Sequence, residues 1–302
     1  MTKMKILITG ARGLLGSDLS LMYSENHEVI ATGVNKPSFP FCRNYKLDIT
    51  KKKDLQIVRK EQPDLVVNCA ALINADYCEV RKKEAKEVNA IGAKNLAEVC
   101  KEIGNYFVHI STDAVFDGKK GNYSEIDEPN PIHVYGKTKL MAEELIKNAG
   151  GNHIIIRTTL YGWNHLNKLS LSEWVLDGLE KKEEVKGFTD LIFTPILTTN
   201  LGRAILDLYE KKYNGIINVA GPEKCSKFDF ARRIAYVFEK DKNLVRPFNS
   251  DDFCFKTKRP KDLSLNVERA KNILETKLLN VEEGIMEFKS LRENGFVDNL
   301  KQ

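Results

Sequence analysis

Two residues near the middle of the chain, Tyr135 and Lys139, form a Tyr-x-x-x-Lys pair. Residues four apart share one face of a helix, so a helix here would place the Lys139 ammonium beside the Tyr135 phenol. A free tyrosine has a pKa of about 10, and a neighbouring ammonium group is expected to lower that pKa. The pair therefore predicts a tyrosine that donates a proton to a carbonyl substrate, as in a nicotinamide-dependent oxidoreductase.

Three glycines near the N-terminus, Gly10, Gly13 and Gly16, follow an apolar run and precede a helical pattern. In this context the first glycine allows a tight turn, the second lets a pyrophosphate approach the backbone, and the third allows close helix–strand packing. A three-glycine pattern alone is often only a turn, but with the Tyr-x-x-x-Lys pair it predicts a dinucleotide site. The residues expected at this turn also include Arg12, Leu14 and Leu15.

From residue 5 to residue 160, apolar and β-branched runs alternate with helical patterns. This alternation predicts an α/β fold with a Rossmann-type, doubly wound parallel sheet, in which ligands bind at the carboxyl ends of the strands. The predicted strands are residues 5–9, 28–32, 45–47, 65–69, 106–110 and 154–157, and the predicted helices are residues 14–25, 51–61, 84–103 and 134–148.

The pattern changes after residue 160, where helical segments predominate. We predict a dinucleotide-binding domain of residues 1–160, to which residues 198–219 return. Residues 161–197 and 220–302 are predicted to form a smaller, mostly helical C-terminal substrate domain. The predicted helices of this half are residues 170–182, 198–212, 226–239, 266–274 and 281–292, and its predicted strands are residues 185–188 and 215–219.

Polar side chains follow the strand predicted at residues 106–110. A hydroxyl from Ser111 or Thr112 can hydrogen-bond a substrate carbonyl beside Tyr135. Ser, Thr and Asp also favour turns and helix caps, so residues 111–113 have a structural alternative. Their position before Tyr135 favours a role in catalysis for Thr112 and in substrate binding for Ser111.

Two further strand ends are predicted to line the cofactor site. Asp48, with Ile49 beside it, follows a short strand and could accept from the adenine amino group; its alternative role is a helix cap. Small residues after the next strand leave room for a flat ring against the backbone. These small residues are Cys69, Ala70 and Ala71.

The sequence predicts NADPH as the cofactor in preference to NADH. An NAD site normally places an acid about 20 residues beyond the glycine turn, where it binds the ribose 2′-hydroxyl. Here residues 33–36 read Gly-Val-Asn-Lys and contain no acid. Arg12 and Lys36, together with Asn35, could hold a 2′-phosphate instead. The alternative is that both cations are solvated surface charges.

The composition of the 302-residue chain excludes several classes of protein. Its 47 basic and 42 acidic residues give a net charge of +5, but no basic stripe is interleaved with aromatics, so we expect no nucleic-acid partner. No apolar run approaches the roughly 20 residues of a membrane span, so we expect no membrane association. The first predicted strand begins at Lys5, which leaves no room for a signal peptide. Six cysteines without a C-x-x-C pair indicate free thiols and a cytoplasmic location.

Together these motifs resemble the extended branch of the short-chain dehydrogenase/reductase superfamily, and within it the dTDP-4-dehydrorhamnose reductase family. The resemblance covers nearly the whole chain, and the segment Ser-Thr-Asp-Ala-Val-Phe-Asp-Gly points to the subfamily. The matching segments are residues 9–16, 68–71, 88–89, 111–118, 135–139, 157–158, 259–260 and 263–265, with Gly221.

The resemblance implies reduction of the C4 ketone of a nucleotide-linked 4-keto-6-deoxy sugar by hydride from NADPH, in polysaccharide biosynthesis. Thr112, Tyr135 and Lys139 would form the catalytic triad. Asn89 would belong to the cofactor site and position a helix or a water in the proton path. Arg259 would contact the substrate diphosphate; its alternative is a structural arginine paired with a carboxylate.

The sequence is also compatible with other functions. The same fold includes an NADP-binding regulatory subunit of methionine adenosyltransferase and nucleotide-sugar epimerases, and fold alone does not separate them from a reductase. Ala114 stands where the family usually has a tyrosine, which bears on the choice of sugar. The sequence contains no metal-ligand cluster, although some relatives use Mg²⁺, and a homodimer is compatible with it.

Overall fold

Seven parallel strands form the central sheet of the computed structural model, which describes residues 3–166 and 168–302. The strand order across the sheet is that of a Rossmann-type fold, and the order in which strands are added reverses between the first and fourth strands. These strands are β1 (Lys5–Thr9), β2 (Glu28–Gly33), β3 (Arg43–Lys46), β4 (Leu65–Asn68), β5 (Tyr106–Ile110), β6 (His153–Arg157) and β11 (Gly215–Asn218), in the order β11-β6-β5-β4-β1-β2-β3.

Helices cover both faces of this sheet, because alternate residues of the buried strands point to opposite sides. On one face Ile6 and Ile8 pack with Leu19; on the other, Leu7 packs in a core with Leu96 and Ile146. Among the described residues, no helix is both long and apolar enough to cross a bilayer. The helices are α1 (Leu14–Ser24), α2 (Gln56–Glu61), α3 (Ala75–Val80), α4 (Lys82–Lys86), α5 (Ala93–Glu102), α6 (Val134–Ala149), α7 (Leu171–Glu180), α8 (Thr198–Glu210), α9 (Lys227–Val237), α10 (Glu268–Ile273), α11 (Val281–Glu293) and α12 (Phe296–Lys301).

A separate hydrophobic core lies beneath α7, α9 and α11, with Val175, Phe230 and Phe288 among its buried members. Short strands pair around it, and β8 and β13 run parallel to each other. The division of the chain into two domains at residue 160 stays a prediction, and residues 1, 2 and 167 lie outside the described part. The short strands are β7 (Leu160–Tyr161), β8 (Val185–Phe188), β9 (Ile192–Phe193), β10 (Ile196–Leu197), β12 (Cys225–Ser226) and β13 (Val245–Phe248).

The predicted fold class is confirmed, and the differences are local. The helix predicted at residues 84–103 is divided, because a π-helical segment, Glu87–Gly92, joins α4 to α5. The helix predicted at residues 51–61 begins only at Gln56, after a series of turns. Several short elements have too weak a pattern to be predicted: α3, α12, β13 and the two-residue strands.

A buried ion pair fixes α6 to the sheet. Arg157 Nη2 at the end of β6 lies 2.7 Å from Glu143 Oε2 on α6, and the two side chains are 3% and 1% exposed. Ser111 donates a further hydrogen bond to Glu143 Oε1, and the Arg157 guanidinium lies over the Phe116 ring at 5.0 Å. With Arg157 Nε, which donates to Glu143 Oε1 at 3.1 Å, the carboxylate has three donors, and they compensate for its removal from water.

Replacing Glu143 by Gln should destabilise the protein strongly, because it leaves the Arg157 charge buried without a counter-charge. We expect a loss of about 3–5 kcal/mol in the free energy of unfolding, measured by urea denaturation. Glu98→Gln is the matched control, because Glu98 pairs with Lys94 on the exposed surface of α5, where such pairs contribute at most about 1 kcal/mol. Equal losses in the two variants would contradict a structural role for the buried pair.

Candidate active site

The glycine turn connects β1 to α1 and lies against the end of β4. Gly10 has a φ of +65°, and a Cβ atom there would lie 2.6 Å from the Ala70 backbone nitrogen, so only glycine fits. Gly16 meets the Gly10 carbonyl in the same way, which brings α1 close to the turn. Gly13 caps α1 and carries no side-chain acceptor, so the first-turn amides, including those of Leu14 and Leu15, stay available for a phosphate. The turn therefore fits the pyrophosphate of a dinucleotide.

Two cations flank this turn. Arg12 is half-buried within it, whereas Asn35 and Lys36 are exposed just after β2. Within residues 3–166 and 168–302, neither Arg12 nor Lys36 forms a salt bridge. Their charges are therefore not neutralised by protein carboxylates.

Asp48 closes a local turn instead of capping a helix. Its Oδ1 accepts from the Thr50 amide at 3.0 Å and from the Thr50 hydroxyl at 2.7 Å, and Oδ2 lies 3.3 Å from Lys51 Nζ. The alternative of a helix cap was wrong, because α2 begins only at Gln56. Beside it, the buried Ile49 side chain packs against Gly92 of the π-helical segment.

The loop after β4 is held in place by Asn89. Asn89 Oδ1 accepts from the Leu72 amide at 2.7 Å, and Nδ2 donates to the Leu72 carbonyl and to Thr138 Oγ1, each at 3.0 Å. Asn89 lies in the π-helical segment and thereby ties this loop to α6. The partly buried residues of the loop, predicted to face the cofactor, are Cys69, Ala70 and Ala71.

Tyr135 lies in the first turn of α6, whose N-terminus is capped by His133. Thr112 is buried at the end of β5, where its hydroxyl donates to Asp113 and accepts from the Ala114 amide. Desolvation raises the Tyr135 pKa well above its ordinary value, although hydrogen bonding to Thr112 opposes the shift. The expected lowering of this pKa was therefore wrong, because desolvation of the phenol dominates.

The position of Lys139 explains why the Tyr135 pKa is not lowered. Its side chain is only 1% exposed, and Nζ lies 3.0 Å from His109 Nε2 and donates to the Ile110 carbonyl at 2.7 Å. Burial lowers the Lys139 pKa to about 8, against the opposing influence of Glu143 and Cys69. The lysine head group is thus held by the end of β5 rather than by the phenol.

Asp113 adds a carboxyl group that was not assigned a role from the sequence. Burial raises its pKa to about 7, while Thr112 and the charge of Lys227 oppose the shift. Lys227 is the first residue of α9, so the C-terminal half contributes a cation that acts on Asp113. A lysine at a helix start carries no distinguishing signal in the sequence. Among the described residues, no group of three or more His, Cys, Asp or Glu side chains is placed to hold a metal ion.

The two residues predicted to bind substrate have protein partners. Ser111 donates its hydroxyl proton to Glu143 at 2.5 Å, because it faces the buried ion pair, and its role in substrate binding stays a prediction. Arg259 Nη2 lies 3.0 Å from Asp76 Oδ2, and its guanidinium lies over the Phe255 ring at 5.1 Å. The pairing partner is a carboxylate of α3, which brings the segment around residue 259 to the loop after β4.

Comparison with known proteins agrees with a dinucleotide-dependent reductase fold. Residues 4–292 match the family model described as "RmlD substrate binding domain". A dTDP-4-keto-6-deoxy-D-glucose reductase from Streptomyces niveus is 31% identical, over 84% of this chain and 86% of the relative. The crystal structure of dTDP-4-dehydrorhamnose reductase from Bacillus anthracis in complex with NADP superposes with a TM-score of 0.86 at 28% identity, covering 96% of this chain and 99% of that one.

A relative of another kind is also similar. Methionine adenosyltransferase 2 subunit beta from Bos taurus is 28% identical, over 89% of this chain and 82% of the relative. The fold, the glycine turn and the Tyr-x-x-x-Lys pair agree with the family match over nearly the full length. The chain therefore belongs to the RmlD substrate binding domain family of the extended short-chain dehydrogenase/reductase superfamily, and it is an NAD(P)-dependent oxidoreductase.

Proposed function

We propose that the protein is an NADPH-dependent reductase of the C4 ketone of a nucleotide-linked 4-keto-6-deoxy sugar. The observation that carries this proposal is the meeting of Thr112, Tyr135 and Lys139 at the carboxyl ends of β4 and β5, beside a glycine turn that fits a pyrophosphate. In an open parallel sheet, ligands bind at this edge. The six cysteines are free, in keeping with a cytoplasmic location.

The catalytic residues divide the work as follows. A bound nicotinamide supplies the hydride. Thr112 and Tyr135 hold the ketone oxygen by hydrogen bonds, and Tyr135 donates its phenolic proton as negative charge develops on that oxygen. Lys139, whose Nζ is held at the end of β5, would in its ammonium form bind the nicotinamide ribose and add positive charge to the site.

The direction of the Tyr135 pKa shift supports reduction. A general acid must be protonated before it acts, and desolvation keeps the phenol protonated at neutral pH. In the reverse reaction, oxidation of an alcohol, Tyr135 would first have to lose its proton, which the same desolvation opposes. The environment of Tyr135 therefore keeps on the phenol the proton that ketone reduction requires.

The substrate class is supported by relatives and by the charges near the site. The Streptomyces niveus relative and the Bacillus anthracis structure are named as reductases of dTDP-linked sugars. A sugar nucleotide brings a diphosphate, and Lys227 and Arg259 are cations contributed to this region by the C-terminal half. The Ala114 backbone packs against Gly136, and the alanine at position 114 presents only a methyl group where the family usually has a tyrosine ring.

A second candidate function follows from the similarity to methionine adenosyltransferase 2 subunit beta. In that role the chain would bind NADP and a partner protein without turning over a sugar. Oxidation of NADPH in the presence of a panel of nucleotide-linked 4-keto sugars separates the two. Turnover supports the reductase, whereas tight NADPH binding without turnover on any sugar supports the second function.

Tyr135→Phe should abolish most turnover while leaving NADPH affinity nearly unchanged, because the ring stays and only the proton donor is lost. We expect kcat to fall by about 10²–10⁴-fold, measured by NADPH oxidation. Tyr236→Phe is the matched control, since its ring is 69% exposed on α9 and should have no effect. A near-normal rate for Tyr135→Phe would remove the tyrosine from the mechanism.

Preference for NADPH should depend on the two cations at the glycine turn. Arg12→Ala and Lys36→Ala should each raise KM for NADPH by about tenfold, since a hydrogen bond to a charged group contributes about 1.5–3 kcal/mol, and should leave KM for NADH almost unchanged. Lys52→Ala, an exposed lysine before α2, is the control. Equal kcat/KM for both cofactors in the wild-type protein would contradict this prediction.

Arg259→Ala should distinguish a substrate-binding arginine from a structural one. If Arg259 contacts the diphosphate, KM for the sugar nucleotide rises far more than KM for NADPH. Arg246→Ala serves as control, because Arg246 forms an exposed pair with Glu184. An unchanged sugar-nucleotide KM would limit Arg259 to its pairing with Asp76.

A further inference from the structure

A line of polar side chains crosses three neighbouring strands and ends at Lys139. Thr9, Asn68 and His109 are in register on β1, β4 and β5. Thr9 Oγ1 lies 2.6 Å from Asn68 Oδ1, Asn68 Nδ2 lies 3.0 Å from His109 Nδ1, and His109 Nε2 lies 3.0 Å from Lys139 Nζ. All four side chains are buried, so each hydrogen-bond direction has to be consistent with the next.

A backbone amide determines which groups donate and which accept along this line of hydrogen bonds. The Ala70 N–H can only donate, and it donates to Asn68 Oδ1 at 3.2 Å. The amide oxygen of Asn68 therefore faces Ala70 and Thr9, and its NH₂ group faces His109. Since that NH₂ group is a donor, His109 Nδ1 must accept and carries no proton.

A neutral histidine has one ring proton, so the proton of His109 is on Nε2, which faces Lys139 Nζ. The Nε2–H group donates to the lysine nitrogen, and that nitrogen donates in turn to the Ile110 carbonyl. An uncharged amine has both the lone pair and the protons for these two bonds. An ammonium group at Lys139 would instead place two donors, its own N–H and the His109 Nε2–H, opposite each other. The Asn68 side chain could relieve this conflict only by rotating so that its NH₂ group faced the Ala70 amide, which is itself a donor.

We propose that His109 is a positioning residue: held by Asn68 as the Nε2–H tautomer, it donates to the Lys139 amine and opposes the charging of that lysine. The contacts of His109 with Asn68 and Lys139 carry this inference, and its kinetic consequence rests on the proposed function, in which charged Lys139 supports turnover. Two shifts agree with it: burial, and then the charge of Lys139, hold the His109 pKa well below its ordinary value, and burial lowers the Lys139 pKa to about 8.

Other titratable groups near Lys139 act in the opposite direction. Glu143, one turn further along α6, and Cys69, after β4, each raise the Lys139 pKa. Glu143 is paired with Arg157 of β6, which offsets its charge, and Tyr135 on α6 stays a neutral phenol. His109 is thus the polar group in direct contact with Lys139 Nζ that works against the ammonium form.

The tautomer can be observed without any assay of activity. In the wild-type protein labelled with ¹⁵N-histidine, two-dimensional NMR assigns the proton to Nδ1 or Nε2 for each of the five histidines, and His109→Gln identifies the resonance. We expect the His109 ring to stay neutral from about pH 6 to about pH 9, whereas an ordinary histidine titrates near pH 6.5, and to carry its proton on Nε2 above about pH 8, where Lys139 is an amine. Titration of the ring in this range, or a proton on Nδ1 above about pH 8, would overturn the inference.

The single substitution Asn68→Asp should reverse the donor and acceptor roles between residue 68, His109 and Lys139. A carboxylate at position 68 still accepts from the Ala70 amide but also accepts from His109 Nδ1–H, so the bare Nε2 would accept from a Lys139 ammonium. Turnover that needs this ammonium falls as pH rises through about 8 in the wild-type protein. In Asn68→Asp this alkaline limb should move upward by about one pH unit or more, with the histidine proton on Nδ1.

The controls separate this role from a general structural one. His109→Gln should also move the alkaline limb upward, because the glutamine carbonyl can accept from the ammonium. His153→Gln should not move it, because His153 contacts the Gly151 carbonyl at the other end of the sheet. An alkaline limb that stays in place in Asn68→Asp and His109→Gln, with only kcat reduced, would contradict the proposal.

Failure of the proposed function has a different signature. If no nucleotide-linked sugar is reduced, the NMR tautomer still decides the role of His109, and the pH dependence of NADPH binding, followed by the quenching of intrinsic fluorescence, replaces the rate profile. If His109 carries its proton on Nε2 but no sugar is reduced, the proposed reductase activity is wrong and the inference about His109 stands. An Nδ1–H tautomer together with normal turnover rejects the inference and keeps the reductase.

Discussion

Helix α6 carries two ionisable side chains one turn apart, Lys139 and Glu143, and buries both against the sheet. Burying an ion without partners costs several kcal/mol, so α6 can dock only where the strand ends supply them. Arg157 and Ser111 donate hydrogen bonds to the Glu143 carboxylate, and the Ile110 carbonyl accepts a hydrogen bond from Lys139 Nζ. This requirement fixes the position of α6 along the sheet. It therefore also fixes Tyr135, which lies in the first turn of the same helix.

The same requirement explains the electrostatics of the site. Because Glu143 is committed to Arg157, little negative charge is left to stabilise an ammonium on Lys139, and burial lowers the pKa of that lysine. Desolvation of Tyr135, in turn, raises the pKa of its phenol and keeps it protonated. The phenol therefore carries the proton that ketone reduction needs, and the charge that develops on the ketone oxygen has to draw that proton from it.

Much of the fold was predictable from the sequence because periodic patterns repeat over many residues. The strands with continuous apolar runs, such as β1 and β5, were predicted with their observed bounds, and Tyr135, Lys139 and Thr112 were named from motif and order alone. The edge strand β3 was displaced by two residues at its start, because it pairs through backbone hydrogen bonds that polar residues make equally well. The pairing of Arg259 with Asp76 was out of reach, since nothing local links residues so far apart in the chain.

The polar line Thr9–Asn68–His109 was missed for a different reason. A histidine within the run Tyr-Phe-Val-His-Ile is a signal, since a polar residue in a buried strand needs partners, but its meaning depends on which strands are neighbours. Once β1, β4 and β5 are adjacent, the three side chains fall in register. A slip of one residue in either pairing would turn the slipped side chain to the other face and leave its partners without hydrogen bonds. The residues that direct hydrogen bonds toward Lys139 therefore also select the register of the strands, so the polarity of the site and the alignment of the sheet are specified together.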